Sequence, residues 1–112
     1  MRYCLALDLK NDPALIAEYE QWHREVWPEI KKSIRDGGIV DMEIYRLEDR
    51  LFMIMDTKEG FSFAKKGEMD AVNPVVQEWE ELMWKYQSPV PGGRAGEKWR
   101  VMTKIFSLND PK

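Results

Sequence analysis

Leu51-Phe52-Met53-Ile54-Met55 is a run of five apolar residues. It is too short for a helix and has no polar face, so it reads as a strand covered on both sides. Just upstream, Val40, Met42 and Ile44 alternate with Asp41, Glu43 and Tyr45, which is strand periodicity, and Glu48-Asp49-Arg50 is the polar break between the two runs. Together they predict a hairpin in a sheet whose one side meets helices. The other side then calls for a second covering layer, and a partner subunit is the natural candidate.

Tyr3 to Leu9 is another short, nearly all-apolar run and predicts a first strand. Asn11-Asp12-Pro13 combines an N-cap candidate with a proline at the first helical position, where its missing N–H costs nothing. From Ile16 the positions Tyr19, His23, Val26, Trp27, Ile30 and Ile34 recur at spacings of three and four, so one helical face holds them all. Pro28 is expected to bend this helix and Gly37-Gly38 to end it in left-handed geometry. A short helix is expected from Phe61 to Met69. Asn73-Pro74 repeats the cap-plus-proline signal and opens another, running to about Tyr86, with Val75 or Val76, Trp79, Leu82, Met83 and Tyr86 as its apolar stripe. The stretch from Ser88 to Gly96 reads as irregular, with Gly92 to Gly96 a mobile loop, and Trp99 to Phe106 as a last strand with Val101, Thr103 and Ile105 on one side.

The order β-α-β-β-α-β with an extra helix suits an α+β ferredoxin-like sandwich, an antiparallel sheet with helices on one face. Residues 1–112 are expected to form one domain, because 112 residues with 44% hydrophobic content suffice for one core but not two. A bare outer sheet face of Leu, Phe, Ile and Met would be too large an apolar patch for a monomer, so a homodimer through the sheet faces is expected, closing a dimeric α/β barrel.

Charge and composition narrow the partners. With 17 Lys and Arg against 20 Asp and Glu, net charge −3, the chain offers no field for nucleic acid or anionic lipid. The apolar N-terminal run meets Asp8 too early for a signal core, and no run nears the roughly 20 residues of a membrane span, so a cytoplasmic location is expected. Cys4, the one cysteine, is expected to be a buried thiol with no disulfide and no nucleophilic role.

His23 is the one histidine and the best acid/base candidate, since an unperturbed pKa of about 6.5 lets it give and take a proton near neutrality. Base rates alone favour a histidine that merely satisfies a local bond; Tyr19, Trp22 and Trp27 give it an aromatic setting like that of sugar pockets, where rings cover pyranose C–H faces, although aromatics at helical spacing are more often core, so the residues by themselves leave both readings open. One histidine among scattered carboxylates gives no metal-ligand spacing, so neither metal nor cofactor is expected. Gly92-Gly93-Arg94-Ala95-Gly96 lacks the pattern of a phosphate loop. Glu78 and Glu81 read as a solvated helix edge, whereas Glu80, next to Trp79, is a candidate acceptor for sugar hydroxyls.

The segment Tyr19-Glu20-Gln21-Trp22-His23-Arg24-Glu25-Val26-Trp27-Pro28-Glu29-Ile30 resembles the first helix of the L-rhamnose mutarotase family, with its YxxxH…WPE(L/I) pattern. The resemblance continues through Gly38 to Tyr45, Leu51 to Met55 and the helix around Trp79, to about Met83. It implies a dimeric ferredoxin-like enzyme without a cofactor, with the general acid at His23 and substrate contact at Tyr19 and Trp79. Met42 and Glu80 stand where rhamnose-type members carry a tyrosine and a second tryptophan. In that respect the chain looks closer to the L-fucose mutarotases of a second type.

The expected reaction is α/β anomer exchange of a 6-deoxy-L-hexose, in which protonated His23 donates to the ring oxygen while water or a carboxylate takes the anomeric proton. Two rival readings share the fold: a cofactor-independent monooxygenase acting on electron-rich aromatics, and a non-catalytic dimeric ligand-binding module.

Overall fold

In the computed structural model, which describes residues 1–92 and 98–109, the run from Leu51 to Met55 lies inside β3 (Arg50–Thr57). This strand is flanked on both sides, by β2 (Ile39–Leu47) and by β1 (Arg2–Leu9), each antiparallel to it. On its far edge β1 carries β4 (Gln87–Ser88) and then β5 (Arg100–Val101), so the ladder leaves off at Ser88 and resumes at Arg100. The order β2-β3-β1-β4 with antiparallel neighbours is that of a ferredoxin-like sandwich.

Register decides what each face holds. Leu7 lies opposite Leu51, Leu5 opposite Met53, and Ile44 opposite Met53 on the other side, so these side chains share the face turned to the helices. Leu7, Leu51 and Met55 are buried there. Cys4 opposite Ile54 and Ala6 opposite Phe52 make the outward face, half-buried and flanked by the ion pairs Arg2–Asp56 (3.0 Å) and Arg50–Asp8 (2.7 Å). Leu and Met thus line the core side, and the outward apolar strip is narrower than the sequence implied. The Cys4 thiol, expected to be buried, is on that outward face and only partly covered.

The helical layer consists of α1 (Pro13–Arg24), α2 (Pro28–Asp36), α3 (Phe63–Ala71) and α4 (Pro74–Trp84). Both cap-plus-proline signals operate as expected: Asp12 accepts from the N–H groups of Ala14 (2.9 Å) and Leu15 (3.3 Å), and Asn73 from those of Val75 (3.0 Å) and Val76 (3.3 Å). Asn73→Ala should lower unfolding free energy by about 0.5–2 kcal/mol, measured by urea unfolding, because two N–H groups at a packed helix start lose their acceptor.

Five further expectations are corrected. Pro28 does not bend one helix; it separates two. Trp27 is extended (φ −55°, ψ 135°), the conformation a following proline imposes, and Glu25 to Trp27 leave helical geometry altogether. The left-handed residue that ends α2 is Gly38 alone, at φ 96°, since Gly37 stays right-handed. Val40 is exposed, because a bulge between Ile39 and Asp41 turns it outward and gives its inward place to Ile39. The last strand is Arg100–Val101 rather than Trp99 to Phe106. Met102 N–H still reaches the Cys4 carbonyl (2.7 Å), after which Ile105, Phe106 and Leu108 run exposed. Ser88, expected in irregular chain, belongs to β4; residues 93–96 of the expected mobile loop lie outside the described residues.

Candidate active site

The start of α1 is fixed by the Asp12 cap, and its rotation by a side-chain chain to the end of α4. The indole N–H of Trp22 donates to the Tyr86 hydroxyl (3.1 Å), which donates to the Glu18 carboxylate (3.2 Å). With that face pinned, Tyr19 and His23, one turn apart, both point between helices and sheet. They form one wall of a cavity of about 630 Å³ between the helical layer and the inward face of the sheet, within the ordinary range of small-ligand pockets. Met42, Ile44 and Met53 line the sheet side, Trp79 and Glu80 the α4 side, and Trp99 the mouth of β5. All four candidate residues from the sequence, Tyr19, His23, Trp79 and Glu80, therefore border a single cavity.

The aromatic frame differs in one respect from the expected one. The His23 ring stacks obliquely on Tyr19 (centroids 4.3 Å) and meets Trp79 edge-on (5.8 Å). Trp22 and Trp27 do not line the cavity. They stand behind Trp79, edge-on at 6.5 and 5.0 Å, and hold its plane in position. The interruption at Pro28 is what brings Trp27 there.

His23 Nδ1 is 2.9 Å from the Tyr19 carbonyl oxygen. A carbonyl can only accept, so Nδ1 carries the hydrogen and Nε2 keeps its lone pair in the neutral ring. Burial lowers the His23 pKa below its ordinary value, and the bond to the Tyr19 carbonyl offsets this only in part. Near neutrality the ring is thus mainly uncharged. Burial acts oppositely on Tyr19, whose phenol is pushed up to about 12, with a hydrogen bond from the Gln87 side chain pulling the other way.

Five polar groups of the described cavity lining, Ser33, Lys66, Asp70, Gln87 and Lys98, were not legible as site residues. Lys98 pairs with Glu80 (3.5 Å) and lies over the Trp84 ring (5.2 Å to its centroid). Lys66 pairs with Asp70 one turn on and reaches the Ser33 hydroxyl (3.5 Å), its stem lying on Gly37, where a Cβ would fall 2.3 Å from the lysine Cδ. Gln87 closes the end nearest Tyr19. Both lysines are neutralised by a carboxylate, so the described lining offers paired charges and amide or hydroxyl groups. Among the described residues no cluster of three or more His, Cys, Asp or Glu is set to hold a metal, and no helix is long and apolar enough to cross a membrane.

This arrangement matches the family pattern read from α1, and the whole chain agrees: the family model for L-rhamnose mutarotase matches residues 2–108. The chain belongs to the L-rhamnose mutarotase family. Its enzyme class is accordingly that of the carbohydrate mutarotases. The chain is 49% identical to the L-fucose mutarotase of Xanthomonas campestris pv. campestris, over 97% of its own length and 89% of the relative's. It is 38% identical to the L-rhamnose mutarotase of Phocaeicola vulgatus over 70% of its length and 69% of the relative's. Among solved structures, the L-rhamnose mutarotase of Formosa agariphila superposes with a TM-score of 0.69 at 19% identity, covering 96% of this chain and 98% of the other. The tetracenomycin F2 cyclase of Streptomyces glaucescens gives 0.68 at 16% identity, covering 99% of each. At such identities those two likenesses concern the fold alone.

Proposed function

We propose that this chain interconverts the α and β anomers of a 6-deoxy-L-hexose, with L-fucose preferred to L-rhamnose, by acid/base ring opening centred on His23. The observation that carries the reading is the His23 ring itself: tethered at Nδ1, its pKa lowered by burial, and bordering a cavity walled by Tyr19 and Trp79. The lining favours a neutral polyol over a phosphorylated or acidic sugar, because each described cavity lysine is already paired with a carboxylate. Preference for L-fucose is supported by the relative of that name matching nearly the full chain, and by Met42 and Glu80 in place of an aromatic pair.

Burial of His23 favours the reverse of the order of events expected from the sequence, with the Nδ1 bond leaving Nε2 as the reacting nitrogen. Neutral His23 enters as a base, and Nε2 takes the proton of the anomeric hydroxyl. As the bond from the anomeric carbon to the ring oxygen breaks, that oxygen becomes an alkoxide, a stronger base than a phenolate, and takes the Tyr19 hydroxyl proton. The open aldehyde rotates. On closure Tyr19 recovers its proton and the His23 imidazolium returns its own to the new anomeric oxygen, so protons balance and no redox partner is needed. Trp79 covers a C–H face of the ring, and Glu80, held by Lys98, accepts from a sugar hydroxyl.

A sign follows for pH. Protonating His23 removes the base, so exchange should fall as pH drops through its lowered pKa, below about 6.5, and stay level on the alkaline side while Tyr19 keeps its proton. Stability should move the same way: the unfolded chain binds this proton more readily, so some stability is lost as pH falls below about 6.5, levelling off beneath the folded pKa. Rates from saturation-transfer NMR between pH 4.5 and 9 test this, in steps of about half a unit around the histidine range. A rate that instead rises towards acid would reinstate His23 as the first acid.

The reading includes a homodimer through the outward sheet faces. Support comes from the strip of Cys4, Ala6, Phe52 and Ile54 and from the exposed Ile105, Phe106 and Leu108 beyond β5, apolar groups that a second copy would cover. Sedimentation equilibrium at micromolar concentration tests it, with a monomer as the contrary result.

A further inference from the structure

We infer that Gln87 is a specificity-determining residue, whose side-chain carbonyl accepts a hydrogen bond from one hydroxyl of the sugar beside Tyr19. The inference rests on the mutarotase reading above and names a residue that the pattern of the first helix does not contain.

One polar side chain sits where a core residue would be expected. Gln87 is only 6% exposed, yet its Oε1 has no hydrogen-bond partner among the described residues. A buried amide oxygen without a partner is costly, about 1–3 kcal/mol, and native interiors rarely leave one unless something arrives to fill it. Gln87 is also held rather than loose. Its backbone pairs with Leu9 in the sheet, which fixes where the side chain starts. The same amide borders the cavity that contains His23 and Trp79.

A 6-deoxyhexose supplies what is missing. Each ring hydroxyl is a donor as well as an acceptor, so one of them can satisfy Oε1 on entry while its own oxygen takes a donor elsewhere. A site with a buried unmade bond rejects an analogue lacking that hydroxyl far more strongly than an apolar wall would, because the acceptor then stays unpaired. Galacto and manno sugars differ in the direction of two ring hydroxyls. A fixed acceptor next to the acid/base pair is therefore placed to tell them apart.

The experiment uses the full chain with L-fucose and its 2-, 3- and 4-deoxy analogues, measuring anomer exchange and equilibrium binding by NMR for wild type, Gln87→Met and Gln87→Leu. Wild type should lose about tenfold or more in affinity for one analogue, while both variants should bind L-fucose about 10- to 100-fold more weakly and no longer distinguish that analogue. Thermal unfolding separates this from a structural role: removing an unpaired buried acceptor should leave the midpoint unchanged or raise it. In wild type, the Gln87 side-chain amide signals should also shift as L-fucose is added. Normal exchange with unshifted Gln87 signals, or variants that keep wild-type affinity and discrimination, would overturn the inference and leave the mutarotase reading standing. Absence of both binding and exchange in wild type would overturn the two together.

Discussion

Replacing His23 by asparagine should lower the rate of anomer exchange by about 10²- to 10⁴-fold, the usual worth of a positioned acid/base group. The fold should survive. His23 is only partly buried and its hydrogen bond is to the carbonyl of its own helix, one turn back, so its loss leaves the contacts between helix and sheet in place. Asparagine keeps a polar amide near that carbonyl but offers no nitrogen that can cycle a proton near neutrality. The check is saturation-transfer NMR on matched amounts of wild type and variant, with circular dichroism to confirm the fold. Retention of the wild-type rate would remove His23 from the mechanism.

The second large effect concerns Trp79, and here structure changes what a simple substitution would mean. From sequence, Trp79→Ala should mainly raise the sugar concentration needed for half-saturation, since stacking holds the ring in ground and transition states alike. In the structure Trp79 is 9% exposed, belongs to the same buried cluster as Leu9, Tyr19, Leu51 and Tyr86, and is braced by Trp22 and Trp27. Truncating it to alanine should cost about 3–5 kcal/mol of stability, much of what a small domain has. Urea unfolding should show this directly; a loss under 1 kcal/mol would mean that the indole is a pocket lid rather than a core member. Trp79→Phe, which keeps a ring between Trp27 and His23, is the cleaner probe of stacking, and it should raise KM with little change in kcat.

Much of the frame was legible because each signal was local. The apolar run 51–55, the Asp12 and Asn73 caps and the stripe through Val76, Trp79 and Met83 each depend on residues within a turn or two, and all appear where expected. The break at Pro28 was not legible, since the inward spacing of Val26, Trp27, Ile30 and Ile34 continues across it as if one helix ran through. Only the conformation imposed on Trp27 by the proline distinguishes two helices from a bent one. The bulge at Val40 likewise hides within an alternating pattern, because shifting an alternation by one residue changes faces and not composition.

For the site, Tyr19, His23, Trp79 and Glu80 could be found because they stand out in helices that bury one face. Lys66, Asp70, Lys98 and Gln87 could not. A lysine and an aspartate four apart look like a solvated helix edge, and the Lys66 stem reaches inward only because Gly37, on another helix end, leaves room for it. Gln87 sits in a two-residue strand whose partner, Leu9, is far away in sequence, so no window around it reveals that its side chain is buried.

Exchange between anomers is the activity on which every proposed residue role depends. In a saturation-transfer experiment on L-fucose at neutral pH, irradiating the α anomeric proton with catalytic amounts of the wild-type chain present should attenuate the β signal well beyond the buffer control, more strongly than for L-rhamnose. An unattenuated β signal for both sugars would contradict it.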